Sequence, residues 1–158
     1  MPWPPEVRAQ RGGNFRRLAD EAKLPYGDRS HWYDSGPAHE ASEWAREHGG
    51  EDALRQAIYR AYFVTNENIA SPDVLERLAE EVGLDGSDLR VALAEGRYRE
   101  TVEQQYAEAR QIGVTGVPTF VAGGYAVVGA QPESVFHQLM EVLGEPRRGD
   151  SQASEGHG

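Results

Sequence analysis

Gly113-Val114-Thr115-Gly116-Val117-Pro118-Thr119-Phe120-Val121-Ala122 runs straight into Gly123-Gly124-Tyr125-Ala126-Val127-Val128, and the reading of this stretch decides the fold. Thr119 to Ala122 and Tyr125 to Val128 are short runs of β-prone residues on either side of two glycines. That pattern predicts a β-hairpin with a tight turn. Neither run alternates cleanly between apolar and polar residues. Both therefore read as strands buried on two faces, as inside a larger α/β sheet. A two-stranded sheet is marginal by itself, so the hairpin predicts further sheet that no other segment of the chain supplies.

Working outward, the spacing becomes helical. Upstream of Gly113, Tyr98, Val102, Tyr106, Ala109 and Ile112 form one stripe. Leu89, Ala92 and Leu93 form a shorter one that breaks at Gly96. Val74, Leu75, Leu78, Ala79 and Val82 follow Ser71-Pro72-Asp73, which predicts a hydroxyl cap, a proline that needs no N–H, and an acid at the positive helix end. Leu54, Ile58, Ala61 and Tyr62 make another apolar face. Ser35 and Pro37 open a helix through Ala38, Ala41, Trp44 and Ala45 that Gly49 closes. Asn14 is placed to cap a short helix with Phe15, Leu18 and Ala22. Downstream of the hairpin, Pro132 starts a helix whose apolar face is Val135, Phe136, Leu139, Met140 and Leu143, ended by Gly144.

The resulting organisation is an irregular segment at 1–12, a mainly helical region at 13–112, a hairpin and helix at 113–144, and a tail at 145–158. The tail has no apolar residue larger than alanine, which predicts disorder.

The chain has 158 residues, no cysteine and a formal net charge of −10. Its length suits one domain, or one domain with an appendage. Carboxylates in that excess repel phosphate backbones, which argues against a nucleic-acid partner. No stretch approaches the roughly 18 apolar residues of a membrane span. The opening Met-Pro-Trp-Pro-Pro-Glu-Val-Arg has no apolar signal core. A cytoplasmic protein without membrane partner is the expectation. The absence of cysteine excludes disulfides, thiolate metal sites and cysteine nucleophiles within these residues.

Gly113 to Phe120 resembles the G-V-x-G-V-P-T-F signature that enters the third core strand of DsbA-family thioredoxin folds. Gly129-Ala130-Gln131-Pro132-Glu133 resembles the G-A-Q-P segment before the last helix of the FrnE-like branch. Ala61 to Asp85 and Ala38 to Gly49 are similar to that branch's inserted helical domain, and Pro2 to Val7 to the stretch after its second core strand. The resemblance spans Pro2 to Gly144 and implies an α/β protein: an incomplete thioredoxin-like fold, the C-terminal β-hairpin plus helix, with a helical insertion domain.

It also implies a role, that of a dithiol–disulfide oxidoreductase or isomerase acting on polypeptides. In the family, the preceding strand–helix–strand unit carries C-x-x-C. One thiolate attacks a disulfide and the second resolves the mixed intermediate. Neither cysteine is present, so the chain alone is expected to be inactive, with no catalytic residue to name. What the resemblance carries over is the Val117–Pro118 peptide, which is cis in the family. It exposes the backbone of the preceding residue to a substrate strand, and makes Val117 and Pro118 the candidate substrate-binding residues. In such a sheet the strand Thr119 to Ala122 lies between its hairpin partner and a first core strand not encoded here. Its open edge would then invite a homodimer.

Other candidates read as ordinary structure. His39 and Glu43 lie four apart on a helix but lack a third metal ligand, and His31, His48 and His137 are scattered, so no metal is expected. The glycines at 123, 124 and 129 lack the G-K-[ST] of a phosphate loop, and no cofactor is expected. Arg148-Gly149-Asp150 falls in the tail and reads as chance. Trp32, Trp44, Tyr59, Tyr62 and Phe63 read mostly as core, with an apolar groove facing the absent part of the fold as the alternative. Two other functions stay open. One is a relative of glutathione-dependent 2-hydroxychromene-2-carboxylate isomerases, against which G-A-Q-P argues. The other is a non-catalytic peptide-binding module.

Overall fold

The computed structural model describes residues 13, 15–27 and 31–144. The expected stretch Pro2 to Val7, the expected Asn14 cap and the expected disorder at 145–158 lie outside these residues. Seven helices and two strands follow in order among the described residues. They are α1 (15–21), α2 (Gly36–Glu47), α3 (Glu51–Phe63), α4 (Pro72–Glu81), α5 (Gly86–Glu95), α6 (Arg99–Gln111), β1 (Thr119–Ala122), β2 (Tyr125–Val128) and α7 (Glu133–Leu143). The chain divides into two compact units, one up to residue 106 and one from residue 107.

The first unit is a helical cluster around one apolar core. Trp44, Leu54, Leu75 and Leu89 are its largest fully buried side chains, one from each of α2 to α5. Ala41, Ala45, Ile58, Ala61, Leu78 and Ala92 fill the space between them. The small residues let helices approach closely, and α5 lies tight against α4 at Gly86. A Cβ there would lie 2.6 Å from the Glu76 carbonyl oxygen.

Two helix starts differ from expectation in their chemistry. Ser71 is the N-cap of α4, yet its hydroxyl makes no cap bond. Its carbonyl accepts from the Val74 and Leu75 N–H groups, both at 3.1 Å, and so opens the helix without the side chain. Ser35 already has helical dihedrals and also makes no side-chain cap. Asp34 Oδ1 takes the Gly36 N–H at 2.9 Å in its place. The side-chain cap among these helices that does form is Asp85, which accepts from Ser87 and Asp88 at the start of α5.

The expected cores are only partly realised. On α6 Val102 is buried, while Tyr106, and Ile112 just beyond the helix, are exposed. Trp44 is core, Tyr62 and Phe63 are half-buried, and Trp32 and Tyr59 are exposed.

The second unit holds β1 and β2 as an antiparallel pair with Thr119 opposite Val128 and Ala122 opposite Tyr125. Phe120 meets Phe136 of α7 edge to face, with centroids 4.9 Å apart. The expectation that both strands are buried on both faces fails. Phe120 is 46% and Val121 55% exposed, and no residue of α7 is buried. Among the described residues of this unit only α7 lies against the two-stranded sheet, and one helix cannot cover two faces. The architecture is that of a thioredoxin-like hairpin and helix together with a helical domain.

Candidate functional site

Gly123 and Gly124 have φ of 55° and 84°. Positive φ at both central residues defines a type I′ turn, whose twist matches that of the flanking strands. A side chain at either position would resist it. This two-residue turn sets the hydrogen-bond parity of the hairpin. Ala122 and Tyr125 close the turn as a bonded pair, Val121 and Ala126 do not exchange bonds, and Phe120 and Val127 do. The Gly129 N–H donates to the Pro118 carbonyl at 2.7 Å and continues the alternation past the strand.

The N–H and C=O groups of Thr119 and Val121 therefore point away from β2, and the same parity places those of Val117 on that outer edge. No strand borders this edge among the described residues. The Thr119 hydroxyl donates to the Gly116 carbonyl at 2.6 Å and braces the entry to the strand. The Val117–Pro118 peptide is cis. The Val117 side chain is 90% exposed. The structure thus brings the two residues singled out in the sequence to the head of an open sheet edge. Such an edge can do one thing chemically: complete a ladder with an extended chain.

The remaining candidates are not brought together. The His39 ring meets the edge of Tyr106 at 5.7 Å. Glu43 pairs with Arg46 and accepts from Gln105 Nε2 at 2.9 Å. His48 stacks on Trp44 at 4.3 Å, and His31 on Tyr33 at 6.0 Å. Among the described residues no group of three or more His, Asp or Glu could hold a metal ion.

One polar constellation lay beyond sequence reasoning. Trp44 Nε1 donates to Asp88 Oδ2 at 2.7 Å, and this bond, with help from Arg97, holds the Asp88 carboxyl below the usual aspartate range. The partners are 44 residues apart, and nothing in either helix announces the other.

A thioredoxin-type hairpin with a cis-proline at its head, and a helical unit, define the chain as one of the thioredoxin-like class of folds. The chain belongs to the DSBA-like thioredoxin domain family, which matches residues 14–141. It is similar to the probable DsbA oxidoreductase SCO1869 from Streptomyces coelicolor, with 34% identity and a TM-score of 0.75 over 90% of this chain and 62% of that one. The cytosolic disulfide reductase DsbM from Pseudomonas aeruginosa shares the fold, with a TM-score of 0.62 and 24% identity over 89% of this chain and 80% of that one. The uncharacterized protein YwbO of Bacillus subtilis (strain 168) is 33% identical over 104 residues, 65% of this chain and 52% of that protein. The chain spans about half the length of this curated relative. Among the described residues no helix is long and apolar enough to cross a membrane.

Proposed function

We propose that this chain is the polypeptide-facing portion of a DsbA-family protein of the FrnE-like branch, and that it performs no thiol–disulfide exchange with its own side chains. The observation that carries the reading is the open outer edge of β1. Val117, Thr119 and Val121 offer backbone groups there, while Pro118 spends its carbonyl on Gly129. An extended substrate strand would pair with Val117 beside Pro118, with main-chain bonds supplying affinity and tolerance of sequence. The chemistry of the family needs a thiolate and a resolving thiol, and the chain has no cysteine.

Two experiments test this. Titration of the isotope-labelled chain with an extended, cysteine-free peptide is expected to shift the Val117, Thr119 and Val121 resonances. Perturbations confined to the helical unit would refute the binding edge. Turnover of a model disulfide is expected at the level of buffer, and activity above it would refute the assignment of chemistry to cysteines.

A second copy pairing through the same edge is the homodimer form of the proposal. Peptide titration at high chain concentration would then be competitive with self-association. A cytoplasmic location belongs to the same reading, since a chain that needs no disulfide has no requirement for an oxidising compartment.

A further inference from the structure

A second recognition surface lies in the helical unit, away from the β1 edge in the sequence and independent of the function proposed for it. A cleft of about 520 Å³ opens between residues 15–26 and the outward side of α3. Its volume falls in the range of small-molecule sites, roughly 300–1,000 Å³. Phe15, Leu18, Leu24, Tyr59 and Phe63 give it an apolar lining, and Phe15, Leu24 and Tyr59 remain exposed. A helix that buries Leu54, Ile58 and Ala61 in the core and still presents Tyr59 outward carries a second apolar face with no core to serve.

Two polar groups in the lining lack partners among the described residues. The first is Arg60. Arg17, Arg46, Arg55, Arg77, Arg90 and Arg97 each sit on a carboxylate. Arg60 pairs with none among the described residues, in a chain whose net charge of −10 makes carboxylates plentiful. Its place in the last turn of α3, where a helix end favours a cation, explains a basic residue but not the missing counter-ion. Arg46 occupies the same place on α2 and is paired with Glu43, whereas Arg110 on α6, like Arg60, has no carboxylate among the described residues; Arg60 differs in lining a cleft. The second is Tyr26, whose hydroxyl is shut off from water and has no hydrogen-bond partner among the described residues. Its ring stacks on Phe15 at 6.4 Å and lies 5.8 Å from the Arg16 guanidinium. A buried hydroxyl without a partner is costly and is satisfied when an acceptor arrives.

We propose that this cleft binds a small carboxylate with an aromatic or alkyl body, the carboxylate on the Arg60 guanidinium and the body against Leu24, Tyr59 and Phe63. The guanidinium selects an anionic head over a neutral one, and the orphan hydroxyl adds a donor that any acceptor-bearing head can use.

The test titrates the full chain with sodium 4-phenylbutyrate and, in parallel, with neutral 4-phenylbutyramide, by calorimetry and by resonance shifts. The acid is expected to bind more tightly than the amide and to shift resonances of residues 15–26 and 56–64. Arg60→Gln, at an exposed position whose loss the fold tolerates, is expected to weaken the acid roughly tenfold or more and to erase the preference over the amide. Tyr26→Phe is expected to weaken binding while leaving that preference in place. Equal affinity for acid and amide, an Arg60→Gln chain that binds the acid as wild type does, shifts confined to β1, or no binding of either probe would each overturn the proposal.

Discussion

Replacing Trp44 with alanine removes the largest side chain of the helical core. Its residue exposure is 0%, and its ring stacks on His48 while its N–H reaches Asp88. A buried aromatic removes about 150–250 Å² from water. At about 25 cal/mol per Å² that is worth about 4–6 kcal/mol as an upper bound. The surrounding helices cannot close fully over the void, because Ala41, Ala45 and Ala79 already set the backbone spacing. The expected loss is therefore about 3–5 kcal/mol. In urea denaturation followed by far-UV circular dichroism, that loss moves the midpoint down by roughly 1–3 M if the slope is unchanged.

Trp44→Phe separates packing from the polar contact. It keeps most of the apolar volume and removes the N–H that Asp88 accepts. The expected stability loss is smaller than for alanine, and the Asp88 carboxyl rises toward the ordinary aspartate range. The sign follows from linkage. A carboxyl depressed in the folded state adds stability above the unfolded value, near 3.9, and that stability is lost as pH falls through the folded value. Carboxyl carbon titration of the two chains reads it directly. A midpoint shift below roughly 0.5 M for Trp44→Ala with an unchanged slope, or an Asp88 titration indifferent to Trp44→Phe, would refute the reasoning.

Three further outcomes follow from the geometry. In hydrogen exchange, the Phe120 and Ala122 amides should exchange more slowly than those of Thr119 and Val121, because only the former pair across the hairpin; equal protection would mean the outer edge is covered. Gly86→Ala should cost roughly 1–3 kcal/mol in urea denaturation, since its methyl meets the Glu76 carbonyl and α4 and α5 must part, and an unmoved midpoint would deny that close approach. Burial, reinforced by the hydrogen bond to Glu47, pushes the Tyr98 hydroxyl up to about 12. The folded state thus holds its proton more tightly, so this contribution to stability is complete below about 10 and is lost as pH rises through about 12. Tyrosinate absorbance should show one late-titrating group that moves down in Glu47→Gln, and an unchanged alkaline limb would contradict it.

Much of the local structure was legible because its causes are local. The two glycines at 123 and 124 specify the turn and with it the hairpin register. The proline at 72 and the glycine at 96 mark helix ends through backbone constraints that need no partner. Periodicity identified Leu54, Ile58, Leu75, Leu78 and Leu89 as core because a helix has one inward face whatever it packs on. The Gly113 to Phe120 signature located Val117 and Pro118, and the absence of cysteine ruled out thiol chemistry within these residues.

Tertiary structure alone decided which of the apolar residues found cover and which polar groups met. Phe120 and Val121 read as buried, and their exposure follows from how few elements lie against the sheet, a property of assembly and not of the strand. Ser71 had the composition of a cap, but its hydroxyl makes no bond to the first-turn donors. Trp44 and Asp88 met because α2 and α5 pack side by side, while Arg60 meets no carboxylate among the described residues although the chain carries many. Pairing across long sequence separations depends on the relative placement of whole helices, and no local propensity encodes that.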